Sequence, residues 1–323
     1  TGVSVARSLS MPRLLHTGQI IIDLVMALDT LPPSGGDALA SSASFHAGGG
    51  FNVMAAARRN GLPALYLGRH GQGRFGELAR QAMRDEGITP TLPPDPHTDT
   101  GLCVALTEAS AERTFISYIG AEGVLSTDDL QQVQVAHDDY VYVSGYSLLH
   151  ADKAQPLLDW LLALPGDVHI SLDPGPLLND IAPHLLDALL PRLNLWTSNR
   201  HEAQALTGTY TLEDALTALD ARLPRTCLNV VRDGARGCRV SDTHGHHRIA
   251  GFKVHALDSN GAGDAHTGVL LAALAHGATP VEAARRANAG AAIAVTRRGP
   301  ATAPRAEEID GFMAQQNART SEV

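Results

Sequence analysis

Cysteine is scarce in this chain. Its 323 residues hold three, Cys103, Cys227 and Cys238, too few and too scattered for a disulfide scaffold or a thiolate zinc site. They fit a reducing compartment, where each is most simply a small apolar residue, so the cytoplasm is the expected location. Long apolar runs are missing as well, since none reaches the roughly 18 residues that a membrane span needs. The first ten residues, TGVSVARSLS, hold no apolar core adequate for a signal peptide. They read as an upstream extension or a cloning remnant, with the folded domain expected over 11–323. Positive charge is in deficit: 25 Lys+Arg against 34 Asp+Glu give a net charge of −9. That balance gives no general reason to bind a nucleic-acid backbone or an anionic membrane. What is present is a hydrophobic fraction of 44%, enough for a buried core and too high for bulk disorder.

Strand-like and helix-like segments alternate along the chain. LLHTGQIIIDLVM at 14–26 reads as one buried strand, FNVMAAARRNG at 51–61 as a helix stopped by Gly, and ALYLG at 64–68 as a strand. FGELARQAMRDEG at 75–87 is a second Gly-stopped helix, and DYVYVSG, GDVHISLDP and LNLWTSN are further short apolar runs. This alternation implies a parallel sheet covered on both faces. GLCVALTEASAERTFISYIG at 101–120 breaks the rhythm: two alternating runs around a polar turn make a hairpin. It reads as a flap on the main sheet, joined by residues 37–46, and LPPDPH at 92–97 is the hinge candidate.

Three patterns point to chemistry. In DSNGAGDAHTGVLLAAL at 258–274, Gly261, Ala262 and Gly263 precede Asp264 and an apolar helix. Small residues let a ligand approach the backbone, and free N–H groups at a helix start form an anion site. Asp264 there is poorly placed for plain phosphate binding and well placed to take a proton from a hydroxyl attacking the phosphate. In NRHE at 199–202, Asn199 and Glu202 share a helix face. The pair suits hydrated Mg²⁺ and equally suits an N-terminal capping box. In AGGGFNV at 47–53, the glycines allow close backbone approach, and Asn52 with Asp23 could hold a polyol from two sides. A tight turn and a solvated strand end are the plain alternatives.

Together and in this order, these patterns resemble the ribokinase, or PfkB, family of carbohydrate kinases. The resemblance runs from about Leu14 to about Pro304 and is carried by GQIIID, the glycines with Asn52, NRHE, DSNGAGD and ANAGAAIAVTRRG at 287–299. It implies a Rossmann-like three-layer α/β sandwich with a small β-sheet lid. The implied function is transfer of the γ-phosphoryl group of ATP to a sugar hydroxyl, with Mg²⁺ as cofactor. Asp264 would be the base and Gly261, Ala262 and Gly263 the anion hole. Asp23, Gly48, Gly49 and Asn52 would hold the sugar. Asn199, Gly234, Gly237 and Asn288 would serve ATP, and Glu202 would hold Mg²⁺ through water. Asp258 and Asn260, with backbone oxygens of Ala294, Arg297 and Gly299, match positions that hold K⁺ in many relatives. Lid-mediated homodimers are implied too. A nucleoside kinase of the same superfamily is the alternative acceptor reading. The chain departs from the family pattern at Ala47, Gly49, Met54 and Val269, and DPGP at 173–176 lacks the polar residue and Arg that often follow Asp-Pro.

One rival pattern is GQGRFG at 71–76, which matches the dinucleotide-binding G-x-G-x-x-G of NAD-dependent oxidoreductases. The acidic residue expected about 20 positions on falls near Asp95, in a Pro-rich loop and not at a strand end. THGHH at 243–247 invites a metal reading, but its flanking runs make it a hairpin tip.

Overall fold

The chain crosses between two sheets at its first opportunity. In the computed structural model, which describes residues 11–321, the opening apolar run is not one strand. It splits into β1 (Leu14–His16) and β2 (Ile20–Leu28), which lie in different sheets. The run reads as continuous because both halves are apolar strands. The break falls at Gly18, where a Cβ would come within 2.5 Å of the His16 ring. The segment 1–10, read as an extension, lies outside the described residues.

The body is built on nine strands among the described residues, in the order β13-β12-β11-β10-β9-β8-β1-β4-β5. These are β1, β4 (Ala64–Tyr66), β5 (Thr89–Pro90), β8 (Tyr140–Ser144), β9 (His169–Asp173), β10 (Leu195–Asn199), β11 (Leu228–Arg232), β12 (Gly237–Asp242) and β13 (Gly245–Ala250). From β5 to β11 all neighbours are parallel; β12 and β13 add an antiparallel hairpin, with THGHH at its tip. Helices α1 (Phe51–Arg59), α2 (Arg74–Glu86), α8 (Ala262–Ala275), α9 (Pro280–Val295) and α10 (Ala306–Ser321) close one face. Helices α3 (Thr127–Gln131), α4 (Ala151–Leu162), α5 (Pro183–Leu189), α6 (Arg200–Thr207) and α7 (Leu212–Asp220) close the other. The expected three-layer sandwich is therefore present, and its central strands are apolar on both sides because both sides are covered.

The second sheet has four strands in the order β3-β2-β6-β7, adding β3 (Ser42–Gly49), β6 (Leu102–Glu108) and β7 (Arg113–Tyr118). The expected hairpin is there. The expected companion segment 37–46 is displaced: its strand is Ser42–Gly49, and β2 is one of the lid's two inner strands. The stretch 92–97 is no hinge. Asp95 exchanges main-chain bonds with His70 and Gln72, and Leu92 is buried. Chain passage between body and lid falls instead at Gly18, Gly49–Gly50, Gly101 and Gly120. Glu122 clamps two of these, accepting the Gly101 and Gly120 N–H groups at 2.8 and 2.9 Å.

Candidate active site

Parallel strands end at one edge of the body, and that edge is where a cavity opens. His16, Ser144, Asp173 and Arg232 are the last residues of β1, β8, β9 and β11. All four line a cavity of about 220 Å³, together with Gly49, Glu202, Gly263 and Asp264.

Asp264 sits in the first turn of α8, whose N-cap Gly261 has φ +78°. Only glycine fits there: the backbone is left-handed, and a Cβ would run into the Pro300 carbonyl oxygen. The Ala262 N–H donates to the Ser259 carbonyl at 3.2 Å, and the next two N–H groups, of Gly263 and Asp264, have no hydrogen-bond partner among the described residues. A carboxylate and a ready anion site thus share one helix end. Burial pushes the Asp264 carboxyl up to about 6, the charge of Asp173 adds to this, and the Asn52 amide, donating at 3.2 Å, opposes it.

Arg232 faces this carboxylate cluster. Its guanidinium donates to Thr197 Oγ1 at 2.9 Å, Thr267 Oγ1 at 3.2 Å and Asp173 Oδ2 at 3.4 Å, and lies 3.8 Å from Glu202 Oε1. Asp173 and Arg232 are site residues that the motifs did not single out. The available signal was positional, because each is the polar residue that closes an apolar strand run in a parallel sheet.

A pfkB family carbohydrate kinase profile matches residues 11–307. The chain belongs to the pfkB family. It is 32% identical to the uncharacterized sugar kinase YegV of Escherichia coli K12, over 90% of this chain and 91% of that one. It is 29% identical to Fructokinase-1 of Zea mays, covering 85% and 90%. A putative ribokinase II from E. coli shares the fold at a TM-score of 0.81 with 22% identity, covering 94% of this chain and all of the other. The protein is thus a carbohydrate kinase with the ribokinase fold, as the sequence resemblance implied.

Seen as a pfkB kinase, the chain places its other candidate residues unevenly. Asn199 and Glu202 form the capping box: Asn199 Oδ1 accepts the Glu202 N–H at 2.7 Å, and Glu202 Oε1 accepts the Asn199 N–H at 3.0 Å. Glu202 nevertheless lines the cavity, and its Oε2 carries no hydrogen bond. Burial, with the Asp173 charge, raises its carboxyl. Asp23 and Gly48 lie against one another in the lid, where a Cβ on Gly48 would meet the Asp23 carboxylate. Burial pushes Asp23 up to about 6.

Asn288 is spent internally, donating to the carbonyls of Ile249 and Ala250 at 3.1 Å and accepting from His266 Nε2 at 2.9 Å. Gly234 and Gly237, at φ +58° and +97°, shape the turn between β11 and β12. Asp258 accepts from Asn260 N–H at 2.9 Å, Gly299 N–H at 3.0 Å and Arg113 of the lid at 3.1 Å. The Ala294 carbonyl accepts from Arg297 N–H and from Thr302 Oγ1.

The GQGRFG pattern resolves differently. The start of α2 is already filled by a carboxylate, since Asp99 accepts the Phe75 and Gly76 N–H groups at 3.1 and 2.9 Å. A pyrophosphate would meet that charge.

Proposed function

We propose that the protein moves the γ-phosphoryl group of ATP to a hydroxyl of a neutral monosaccharide, with Asp264 as the base. The observation that carries this reading is one carboxylate, raised by burial to about 6, beside two unpartnered N–H groups at the same helix end. Asp264 takes the hydroxyl proton, the sugar oxygen forms its bond to phosphorus, and the bond to the ADP oxygen breaks. The N–H groups of Gly263 and Asp264, with Gly261 and Ala262 shaping the turn, stabilise the charge on the group in transit. Asn52 orients Asp264, while Asp23, Gly48 and Gly49 receive the sugar at the lid.

Among the described residues, no group of three or more His, Cys, Asp or Glu is arranged to hold a metal ion directly. The unpaired Oε2 of Glu202 and the nearby Asp173 fit a hydrated Mg²⁺, which keeps its waters. Bound there, Mg²⁺ supplies charge neutralisation of the phosphates. Asn199 supports it indirectly by fixing Glu202. Gly234 and Gly237 border the nucleotide phosphates, and Asn288 serves the adenine by holding the wall at 249–250. A monovalent-cation role for the loop of Asp258, Asn260, Ala294, Arg297 and Gly299 predicts faster turnover in K⁺ than in matched tetramethylammonium.

A monosaccharide is favoured over a nucleoside by the relatives, which are named as a sugar kinase and a fructokinase. We place the kinase domain over 11–323, with lid segments 20–28, 42–49 and 100–120, in the cytoplasm. No helix among the described residues is long and apolar enough to cross a membrane. A lid-to-lid homodimer is supported by Ile116 and Tyr118, 63% and 77% exposed, which share a face with Val104 and Leu102. β3 does not cover that face; it extends the sheet beside β2. The deciding experiment is a coupled ADP-release assay over sugars and nucleosides. Saturable turnover of a sugar supports the reading, and turnover confined to nucleosides overturns it.

A further inference from the structure

Gln19 stands where the chain passes from body to lid, and no motif assigned it a task. Its main-chain carbonyl accepts the Gly50 N–H at 2.7 Å, so it is fixed against the glycine turn of the sugar side. Gln19 lines the same cavity as Asp264.

The orientation of its amide is decided by its neighbours. Lys153 is 3% exposed, and its ammonium has three donors and no acceptor. All three are placed: the Gly18 carbonyl at 3.3 Å, the Glu122 carbonyl at 3.0 Å and Gln19 Oε1 at 3.2 Å. The hydroxyl of fully buried Ser147 also lies 3.2 Å from Gln19 Oε1. Turning the amide over would set its N–H₂ against an ammonium. Oε1 is therefore held toward Lys153, and Nε2 is left without a partner among the described residues. A half-buried amide with its oxygen committed offers the cavity two N–H donors and nothing else.

We propose that Gln19 reads the acceptor substrate, donating to one of its oxygens, and that Lys153 and Ser147 are positioning residues that fix the direction of that bond. This rests on the sugar-kinase reading and narrows it. The oxygen addressed accepts a hydrogen bond and belongs to a neutral group, a hydroxyl, carbonyl or ring oxygen. The donor carries no charge, and the Arg232 guanidinium in the lining already faces the carboxylates of Asp173 and Glu202, which with Asp264 outnumber it and repel an anionic substituent.

The test is Gln19→Glu. The replacement has the same shape, keeps an oxygen for Lys153 and Ser147, and gains a charge partner in Lys153. It presents a carboxylate oxygen where an amide N–H stood. Sugar KM should rise by roughly tenfold or more, the scale of one lost hydrogen bond in a buried site. ATP KM should stay within about twofold and the melting temperature should not fall. Among monoaminodeoxy analogues of D-ribose and D-fructose, at least one should gain on its parent sugar in the variant relative to wild type. Lys153→Met should shift sugar KM in the same direction.

An unchanged sugar KM in Gln19→Glu overturns the assignment. So does a joint rise of both KM values with a falling melting temperature, the mark of a packing role. If Lys153→Met does not fold, Gln19→Glu decides alone. Calorimetric titration of wild type with D-ribose, D-fructose and a wider neutral-sugar panel separates the two levels. A wild type that neither binds nor turns over any of them overturns the sugar-kinase reading and this assignment with it. A wild type whose sugar affinity is matched by Gln19→Glu overturns only the latter.

Discussion

Body and lid dispose of their apolar residues in opposite ways. In the body, strands such as β8 and β11 are buried along nearly their whole length between two helix layers. In the lid, β7 is exposed at five of six positions. The body is a finished core that brings strand ends, and therefore Asp173, Arg232 and the α8 terminus, to fixed places. The lid is a sheet still lacking cover on one face, and it carries Asp23 and Gly48. Chemistry that must be held to fractions of an ångström is thus built on the part that packs completely. In the proposed function, recognition is shared with the sheet left open on one face.

This division predicts that body changes act on kcat and lid changes on sugar affinity or assembly. The largest expected effect is Asp264→Asn, which should lower kcat by at least about 100-fold, the lower end of general-base contributions, while ATP still binds. Turnover near a tenth of wild type would show that the base lies elsewhere. Next is pH. Asp264 must be ionised to accept a proton, and its carboxyl is raised to about 6. The rate should therefore fall as pH drops below that value, approaching about tenfold per pH unit. Asp23, in the lid, is also raised to about 6, so the comparison can be sharpened. Asp23→Asn should keep the acid limb of kcat and lose sugar affinity. Loss of the acid limb in that variant would move the base to the lid.

A smaller effect is expected at Glu202→Gln. The variant keeps a capping-competent side chain, so its melting temperature should hold while the Mg²⁺ needed for half-maximal rate rises severalfold. The reverse pattern would leave Glu202 with capping alone. The smallest change in turnover is expected from Ile116→Asp on the bare lid face. Light scattering should show a dimeric wild type and a monomeric variant with a modest loss of activity. A monomeric wild type would remove lid pairing.

The body was the more legible region. Alternating strand and helix runs gave its layers, and Gly87, which ends α2 at φ +73°, was readable as a stop because only glycine adopts that backbone cheaply. Asp264 with its glycines was legible because a helix start needs small residues to admit an anion. The lid was harder. Composition alone does not show that LLHTG and QIIIDLVM belong to different sheets, since both halves are apolar and only the residues around Gly18 intervene. Asp173 and Arg232 were hidden for another reason: each is a single polar residue, and its meaning depends on strand neighbours far away in sequence. Asn288 shows what a motif omits. Its motif is in place, yet its amide is taken by Ile249, Ala250 and His266.

The lid's four crossings all contain glycine, and a small buried cluster ties them together. Glu122 takes the N–H groups of Gly101 and Gly120, and Lys153 takes the carbonyls of Gly18 and Glu122. Two of those crossings, Gly18–Gln19 and Gly49–Gly50, also give the cavity walls, through Gln19, Gly49 and Gly50. A sugar that touches only those walls would therefore restrain the stems that carry the whole lid. Amide protons of β2 and β3 far from the ligand, toward Leu28 and Ser42, should then exchange with solvent more slowly when sugar is bound, because opening them requires the stems to yield first.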